Sequence, residues 1–311
     1  MGISGTAAPR TKDGKGTYAA VTQQILSMLE RGVVPWRRPW SVTQGEPPMN
    51  VRGNQYRGAN YFLLGALGYE RPVFLTFRQA HELGGHVRRG EKGWPVVYWK
   101  MLEAKDKDDD KVEKEGRAKP VPFLRYFTVF NIAQCEGLTL PANIAEKPEP
   151  PTFDPIQAAE TIWANYQNPP TLQHHGNWAS YSIGRDEITM PQRHAFDSPE
   201  EYYSALFHEA GHSTGHQTRL DRDLGLKHGT QAYSREELVA EMCAAFLCAR
   251  AGISRHVIEN QASYLAHWSR ALTDDPKLFV TAAGKAQKAA DWILGANGAS
   301  EAEQEEQGEC A

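Results

Sequence analysis

The sequence predicts an α+β chain of two domains, a small basic α+β domain followed by a mostly helical acidic one. Three observations carry that reading. The chain has 311 residues, against about 100–200 for one compact unit. Residues 1–144 hold 21 Lys and Arg against 14 Asp and Glu, a balance of +7, whereas residues 145–311 hold 13 against 24, a balance of −11. Between the halves, Leu140–Phe153 (LPANIAEKPEPPTF) is Pro-rich and lacks apolar periodicity, the composition of a semi-rigid linker. The predicted units are 1–144 and 153–297, separable by a cut near Lys147, with 298–311 an acidic, disordered tail.

Each element follows from local pattern. The first sixteen residues lack the apolar block of a secretory signal and read as a flexible leader. Tyr18–Arg31 places Val21, Ile25, Met28 and Leu29 on one helical face and stops at Gly32. Thr76–Leu83 is a shorter helix. Pro95–Trp99 and Phe123–Phe130 are β-branched and aromatic runs, a hairpin whose long loop, Glu103–Lys119, carries both charge signs. In the second half, Asp154 caps a helix to about Tyr166, and Ser180–Met190 is a turn and strand. Ser198-Pro199 starts the next helix. Ser234-Arg235-Glu236-Glu237 is a capping-box signature for a helix that stops at Gly252, and Asp275–Leu294 is the last helix. No apolar run approaches the ~20 residues of a membrane span, so no membrane partner is expected. Four cysteines without CxxC spacing fit a reducing cytoplasm.

The chemistry concentrates in His208-Glu209-Ala210-Gly211-His212. Histidines four apart on a helix share a face and can converge on one ion, while the glutamate after the first reaches the water of that ion. Zinc lowers the pKa of its water towards about 7, and Glu209 takes the proton as general base. The expected cofactor is zinc, or another divalent metal such as manganese. The plain alternative is a pair of surface histidines on an ordinary helix. Against it, the approach Tyr202–Phe207 is uncharged, and Ala210 and Gly211 are small enough for a buried helix.

A catalytic zinc takes three protein ligands. His216 continues the four-residue period, but eight residues of helix span about 12 Å, too far for a shared ion. Asp221 has no helix to fix it. Glu237 is the preferred third ligand, because Glu237-Leu-Val-Ala-Glu241 repeats a gluzincin device in which a second carboxylate, one turn on, accepts the free N–H of a ligating histidine. Glu241 takes that supporting role and is the reserve ligand. The alternative, that these glutamates only solvate an outer face, fits poorly with Glu241 lying close to the apolar side of Leu238, Val239 and Met242. An unidentified protein or peptide is the expected substrate, paired along an edge strand at Ile188–Met190.

The basic half interleaves cations with aromatic and amide side chains. Trp36, Arg37, Arg38, Trp40, Arg52, Tyr56, Arg57, Asn60, Arg78, Arg88, Lys92 and Arg125 are its candidate DNA contacts. Guanidinium groups neutralise phosphates and exposed rings stack on unpaired bases, a combination that suits single-stranded DNA. The bland reading makes each ring a core residue and the arginines its rim.

Several of these segments together resemble one family. Trp36–Trp40 (WRRPW), Tyr56–Asn60 (YRGAN), Thr76–Ala80, Gly85–Gly93, Val129–Asn131, and HEAGHSTGH followed by EELVAEM resemble the ArdC-type antirestriction proteins of conjugative plasmids. The resemblance spans nearly the whole chain and departs from the family mainly in the 103–119 loop and the tail. It implies an N-terminal single-stranded-DNA-binding domain, shared with TraC-type primases, and a C-terminal zincin-like metallopeptidase domain. Its implied setting is protection of incoming plasmid DNA from host restriction. The competing reading is a non-enzymatic DNA-masking protein with a structural metal.

Overall fold

The computed structural model describes residues 14–36, 47–102, 121–145, 155–225, 230–253 and 261–296. Residues 1–13 of the leader, the 103–119 loop and the tail lie outside them, while the last three leader residues, Gly14–Gly16, are helical and begin α1. Helix α1 (Gly14–Glu30) buries Val21, Ile25, Met28 and Leu29 and ends where Gly32 turns left-handed at φ 75°. Next come β1 (Met49–Asn50), α2 (Gly58–Gly65), β2 (Val73–Leu75) and α3 (Phe77–Glu82), the last opened by a capping box between Thr76 and Gln79. Strands β4 (Trp94–Leu102) and β5 (Val121–Asn131) form the expected antiparallel hairpin in a sheet of order β1-β2-β5-β4. A small pair, β3 (His86–Val87) with β6 (Cys135–Glu136), flanks it. The free edge of β4 is closed by Asn60, whose buried amide bonds both the N–H and the C=O of Val97.

The acidic half is mostly helical. After α4 (Ala142–Ala145) and α5 (Pro155–Ala164) comes a sheet of order β7 (Thr171–His174), β9 (Glu187–Met190), β8 (Ser180–Ser182), then α6 (Pro199–Ser213), α7 (Gln231–Ala251), α8 (Gln261–Asp274) and α9 (Leu278–Ile293). The α+β class therefore holds. No helix among the described residues is long and apolar enough to cross a membrane.

Three local expectations need correction. Ile188–Met190 is not an edge: β9 is paired along both edges, in parallel with β7 and antiparallel with β8, so its backbone N–H and C=O groups are taken up on each side. Helix α7 starts at Gln231, capped by the Thr230 hydroxyl, so Ser234 lies inside the first turn. The stretch 140–153 is not structureless at its start, since Ile144 of α4 is buried with Val51, Val73 and Leu75. Helix α8 had no counterpart in the pattern reading.

The main core crosses the sequence boundary between the halves. Val21, Ile25 and Met28 of α1 and Phe62 of α2 share one buried cluster with Leu247 of α7, Trp268 and Leu272 of α8 and Phe279 of α9. Thr22 donates to the Pro276 carbonyl and Arg57 to Asp291. A cut near Lys147 thus leaves α1 without the side chains that bury it.

Two contacts fix the helix that carries the motif. Gly211 lets α6 meet α7 closely: a Cβ there would lie 3.1 Å from the Cα of Ala240 and 3.3 Å from the Cβ of Cys243. Beyond α6, the fully buried Arg219 donates to the carbonyls of Ser213 (2.7 Å) and Asn168 (3.0 Å), to the Tyr181 hydroxyl (3.2 Å) and to both carboxylate oxygens of Asp186. Every guanidinium donor is used. The turn between β8 and β9 is thereby locked to the end of α6.

Gly211→Ala should cost about 1–3 kcal/mol in urea unfolding, the usual penalty of overpacking, and an unchanged unfolding midpoint would refute the close contact of α6 with α7. Arg219→Ala should cost about 1–3 kcal/mol, because it leaves the carbonyls of Ser213 and Asn168 and the half-buried Asp186 carboxylate without their donor. Burial opposes ionisation of Asp186, but the bonds from Arg219 and Tyr181 outweigh it and hold its carboxyl below the usual range. Its stabilisation is complete above about pH 4, the ordinary carboxylate value, and is lost as pH falls through the depressed one. Asp186→Asn should flatten that acid limb in unfolding measured against pH.

Candidate metal centre

Helix α6 is capped by the Ser198 hydroxyl, has Pro199 in its first turn, and buries Tyr202, Tyr203, Leu206, Phe207 and Ala210. That apolar face orients the helix and leaves His208 and His212, one turn apart, on the side facing α7. Their Nε2 atoms lie 3.2 Å apart. The Glu237 carboxylate of α7 closes the triangle, Oε2 at 3.6 Å from His208 Nε2 and Oε1 at 3.6 Å from His212 Nε2. Two nitrogens on one tetrahedral zinc stand about 3.3 Å apart, given metal–nitrogen bonds of about 2.0–2.1 Å. The donor set and its spacing therefore fit a divalent metal. Among the described residues this is the one group of His, Cys, Asp and Glu close enough to share an ion.

Each histidine has a carboxylate behind it. Glu236 Oε1 lies 3.5 Å from His212 Nδ1. Glu236 is itself buried and held by Arg222, whose Nη2 donates to Oε1 at 2.6 Å and Nε to Oε2 at 3.2 Å. The same guanidinium reaches the Gly211 carbonyl (2.8 Å) and Thr214 Oγ1 (2.6 Å), so the partner of His212 is tied to α6. Glu241, also buried, acts on His208 through its charge. Burial disfavours the His208 imidazolium, but the Glu237 bond and the charges of Glu241, Glu209 and Glu237 hold its pKa above the usual value. Burial likewise works against the Glu237 carboxylate, yet the two histidines and the Tyr233 hydroxyl keep its pKa below the usual range. The Tyr233 phenol is pushed up to about 12, first by burial and then by Glu237 and Glu209.

The pattern reading missed Glu236, Arg222 and Tyr233. A four-residue period from Tyr233 through Glu237 to Glu241 was available for the last. Nothing local signals that Arg222 folds back on Glu236. His216 stays out of the cluster, with Nδ1 at 2.8 Å from Thr218 Oγ1. Glu209 is buried beside His208.

The candidate DNA contacts fare unevenly. Trp36 is fully buried, donates Nε1–H to the Tyr264 hydroxyl and packs its ring on Trp268 and Phe279. Tyr56 is buried against Phe74, and burial raises its pKa. Neither ring can stack on a base, and Asn60 is spent on Val97; these three expectations are withdrawn, because core packing claims the side chains. Arg57 is paired with Asp291. Arg52 and Lys92 are exposed, Arg78 is exposed beside Glu82, and Arg88 pairs with Glu91. Arg37, Arg38 and Trp40 lie outside the described residues, as does the side chain of Arg125.

Comparison with known proteins matches two family models to successive parts of the chain. A model of the N-terminal domain of anti-restriction factor ArdC matches residues 15–130, and one of zincin-like metallopeptidases matches residues 157–285. The uncharacterized protein y4eC of Sinorhizobium fredii is 37% identical over 288 residues, 89% of this chain and 91% of that protein. DNA primase TraC of Escherichia coli is 36% identical over 296 residues, 90% of this chain but 20% of the primase. The crystal structure of the antirestriction protein ArdC of plasmid R388 in its metal-free form is similar at a TM-score of 0.69 and 36% identity, over 89% of this chain and 96% of that one. Its Mn(II)-bound form gives 0.68 and 35%, over 91% and 98%. With both halves matched in order and a full-length relative above 30% identity, the chain belongs to the ArdC family of antirestriction proteins and has a zincin-like second domain.

Proposed function

We propose that this protein protects incoming plasmid DNA in the recipient cytoplasm, binding single strands through residues 1–144 and hydrolysing peptide bonds at a metal centre in residues 153–297. The observation that carries the enzymatic part is the triangle of His208, His212 and Glu237 with Glu209 adjacent. A purely structural site has no use for that fourth group. Zinc or manganese is the expected ion, the second because an ArdC structure is described as Mn(II)-bound.

The ion, when bound, supplies Lewis acidity and lowers the pKa of a water. Glu209, next to His208 in the chain, is the residue that would accept a proton there and return it to the leaving amine. Glu236 fixes the ring of His212, and Glu241 favours electron density on His208. Tyr233 steadies the Glu237 carboxylate from the α7 side. The three ligand side chains are between 15% and 27% exposed, so the centre remains open to a substrate. The DNA part rests on the positive balance of the first half and on its exposed cations Arg52, Arg78 and Lys92. Arg37, Arg38, Trp40, Arg88 and Arg125 remain candidate contacts.

His208→Ala or His212→Ala should abolish stoichiometric metal, and Glu237→Ala should weaken it strongly, read as metal content after gel filtration. Glu236→Ala and Glu241→Ala should lower affinity by about 10–100-fold, while His216→Ala leaves it unchanged. Normal metal content in Glu237→Ala would overturn the ligand assignment. Glu209→Gln should retain the metal and lose cleavage of a peptide library by about 100- to 10,000-fold. If wild type cleaves nothing while still shielding single strands, the masking reading replaces the enzymatic one.

A further inference from the structure

The sheet of the first half has one face that is only partly covered. Side chains alternate along a strand, and opposed residues share a face. The register Leu75↔Phe130, Pro95↔Thr128 and Val97↔Tyr126 therefore places these six residues on one side. At one end Val97 and Tyr126 join the main core with α1. At the other, Leu75 is buried with Ala80 of α3. Between these covers Thr128 is exposed and Phe130 half-buried.

The gap is lined for aromatic contact. Phe77, the first residue of α3, is 58% exposed, and its ring centroid lies 6.4 Å from that of Phe130. Gly93 forms the floor beside them: a Cβ there would stand 2.2 Å from Thr128 Cγ2 and 2.9 Å from the Phe130 ring. Because that position is bare, the Phe130 ring can approach the backbone of Gly93. The capping box at Thr76 accounts for the exposure of Phe77. It fixes the first turn so that Ala80 points inward and Phe77, Arg78 and His81 point out.

The rim is basic. Residues 77–93 contain Arg78, Arg88, Arg89 and Lys92 against Glu82 and Glu91. Arg88 is paired with Glu91, and Arg78 with Glu82 in an exposed i,i+4 bridge. Such bridges are weak enough for a phosphate to displace them. Arg89 and Lys92 are exposed and make no ion pair with another described residue. An exposed ring against a half-buried one, in a segment rich in cations, differs from the broad apolar centre of a protein–protein interface. It has the two components of a single-strand platform, stacking surface and phosphate neutralisation.

We propose that single-stranded DNA binds across this open part of the sheet, bases on Phe77 and Phe130, phosphates on Arg78, Arg89 and Lys92. The inference rests on the DNA-binding reading above and moves the stacking rings away from Trp36 and Tyr56. Full-length protein should be titrated with labelled oligothymidylate of about 20 nucleotides, longer than the ~4–16 of one compact single-strand site, and with duplex of equal length. Phe77→Ala should weaken single-strand binding by about 5- to 150-fold, the usual loss of one stacked base, with an unchanged unfolding midpoint. Phe77→Trp should retain affinity, and its emission should be quenched by the oligonucleotide. Arg89→Ala combined with Lys92→Ala should reduce the slope of log affinity against log salt by about 1.4, two phosphates at ~0.7 each. Trp178→Ala, which removes the other strongly exposed ring among the described residues, should change nothing. If wild type binds single strands and Phe77→Ala binds them equally, the platform is refuted, the face belongs to another partner such as a protein, and the DNA reading stands. If wild type binds no single strand, the DNA reading itself fails and the platform with it.

Discussion

The crossing of α6 and α7 at Gly211 and Ala240 sets the position of every candidate ligand. Two histidines one turn apart supply only one edge of a coordination polyhedron. The third donor must come from another element, and its reach is short, since a glutamate carboxylate extends little beyond the surface of its own helix. With a side chain at position 211 the axes would separate, and Glu237, one turn before Ala240, would no longer sit 3.6 Å from both rings. A packing requirement in a helix interface is thus also a coordination requirement.

That arrangement places several charges where water is scarce, and such charges are costly unless paired. Glu236 is the sharpest case. It is 3% exposed and is held by two bonds from Arg222, which also reaches the Gly211 carbonyl. The ion pair spans the two helices at the same level as the Gly211 contact, so polar and apolar constraints act on one crossing. A carboxylate fixed in this way can hold the ring of His212 whether or not an ion is present, which limits the reorganisation that metal binding must drive. Arg219 performs the corresponding task one loop later, joining the end of α6 to the β8–β9 turn through Asp186.

Much of this was legible in the sequence where the governing interactions are local. Gly32 and Gly252 stop helices because the backbone turns left-handed there, and the Val97–Tyr126 hairpin follows from alternating β-branched and aromatic residues. His208, His212 and Glu237 were legible because helical period converts spacing into a shared face. Long-range choices were not. Trp36 beside two arginines reads as an exposed ring, but Tyr264, Trp268 and Phe279, more than two hundred residues away, enclose it. Phe77 reads as an ordinary helix residue, and its exposure follows from the tertiary placement of α3, which turns Ala80 inward. The place of β9 in the middle of its sheet depends on β7 pairing in parallel with it past the intervening strand β8, and no local pattern encodes that partner.

The same long-range packing decides how the two halves act on one another. A flexible tether would let a basic module and a metal centre explore many relative positions, with coupling set by linker length. Here α1 and α2 are buried in one cluster with α7, α8 and α9, and Arg57 of the basic half bonds Asp291 of α9. Separating the halves would expose Ile25, Met28 and Phe62 together with Phe279, all within 1% of full burial. The halves therefore hold a fixed geometry despite opposite net charge. In such a body, a strand bound as proposed on the open sheet face would meet the candidate metal centre at a set distance and orientation, so that a protein substrate would be selected by where on the strand it sits.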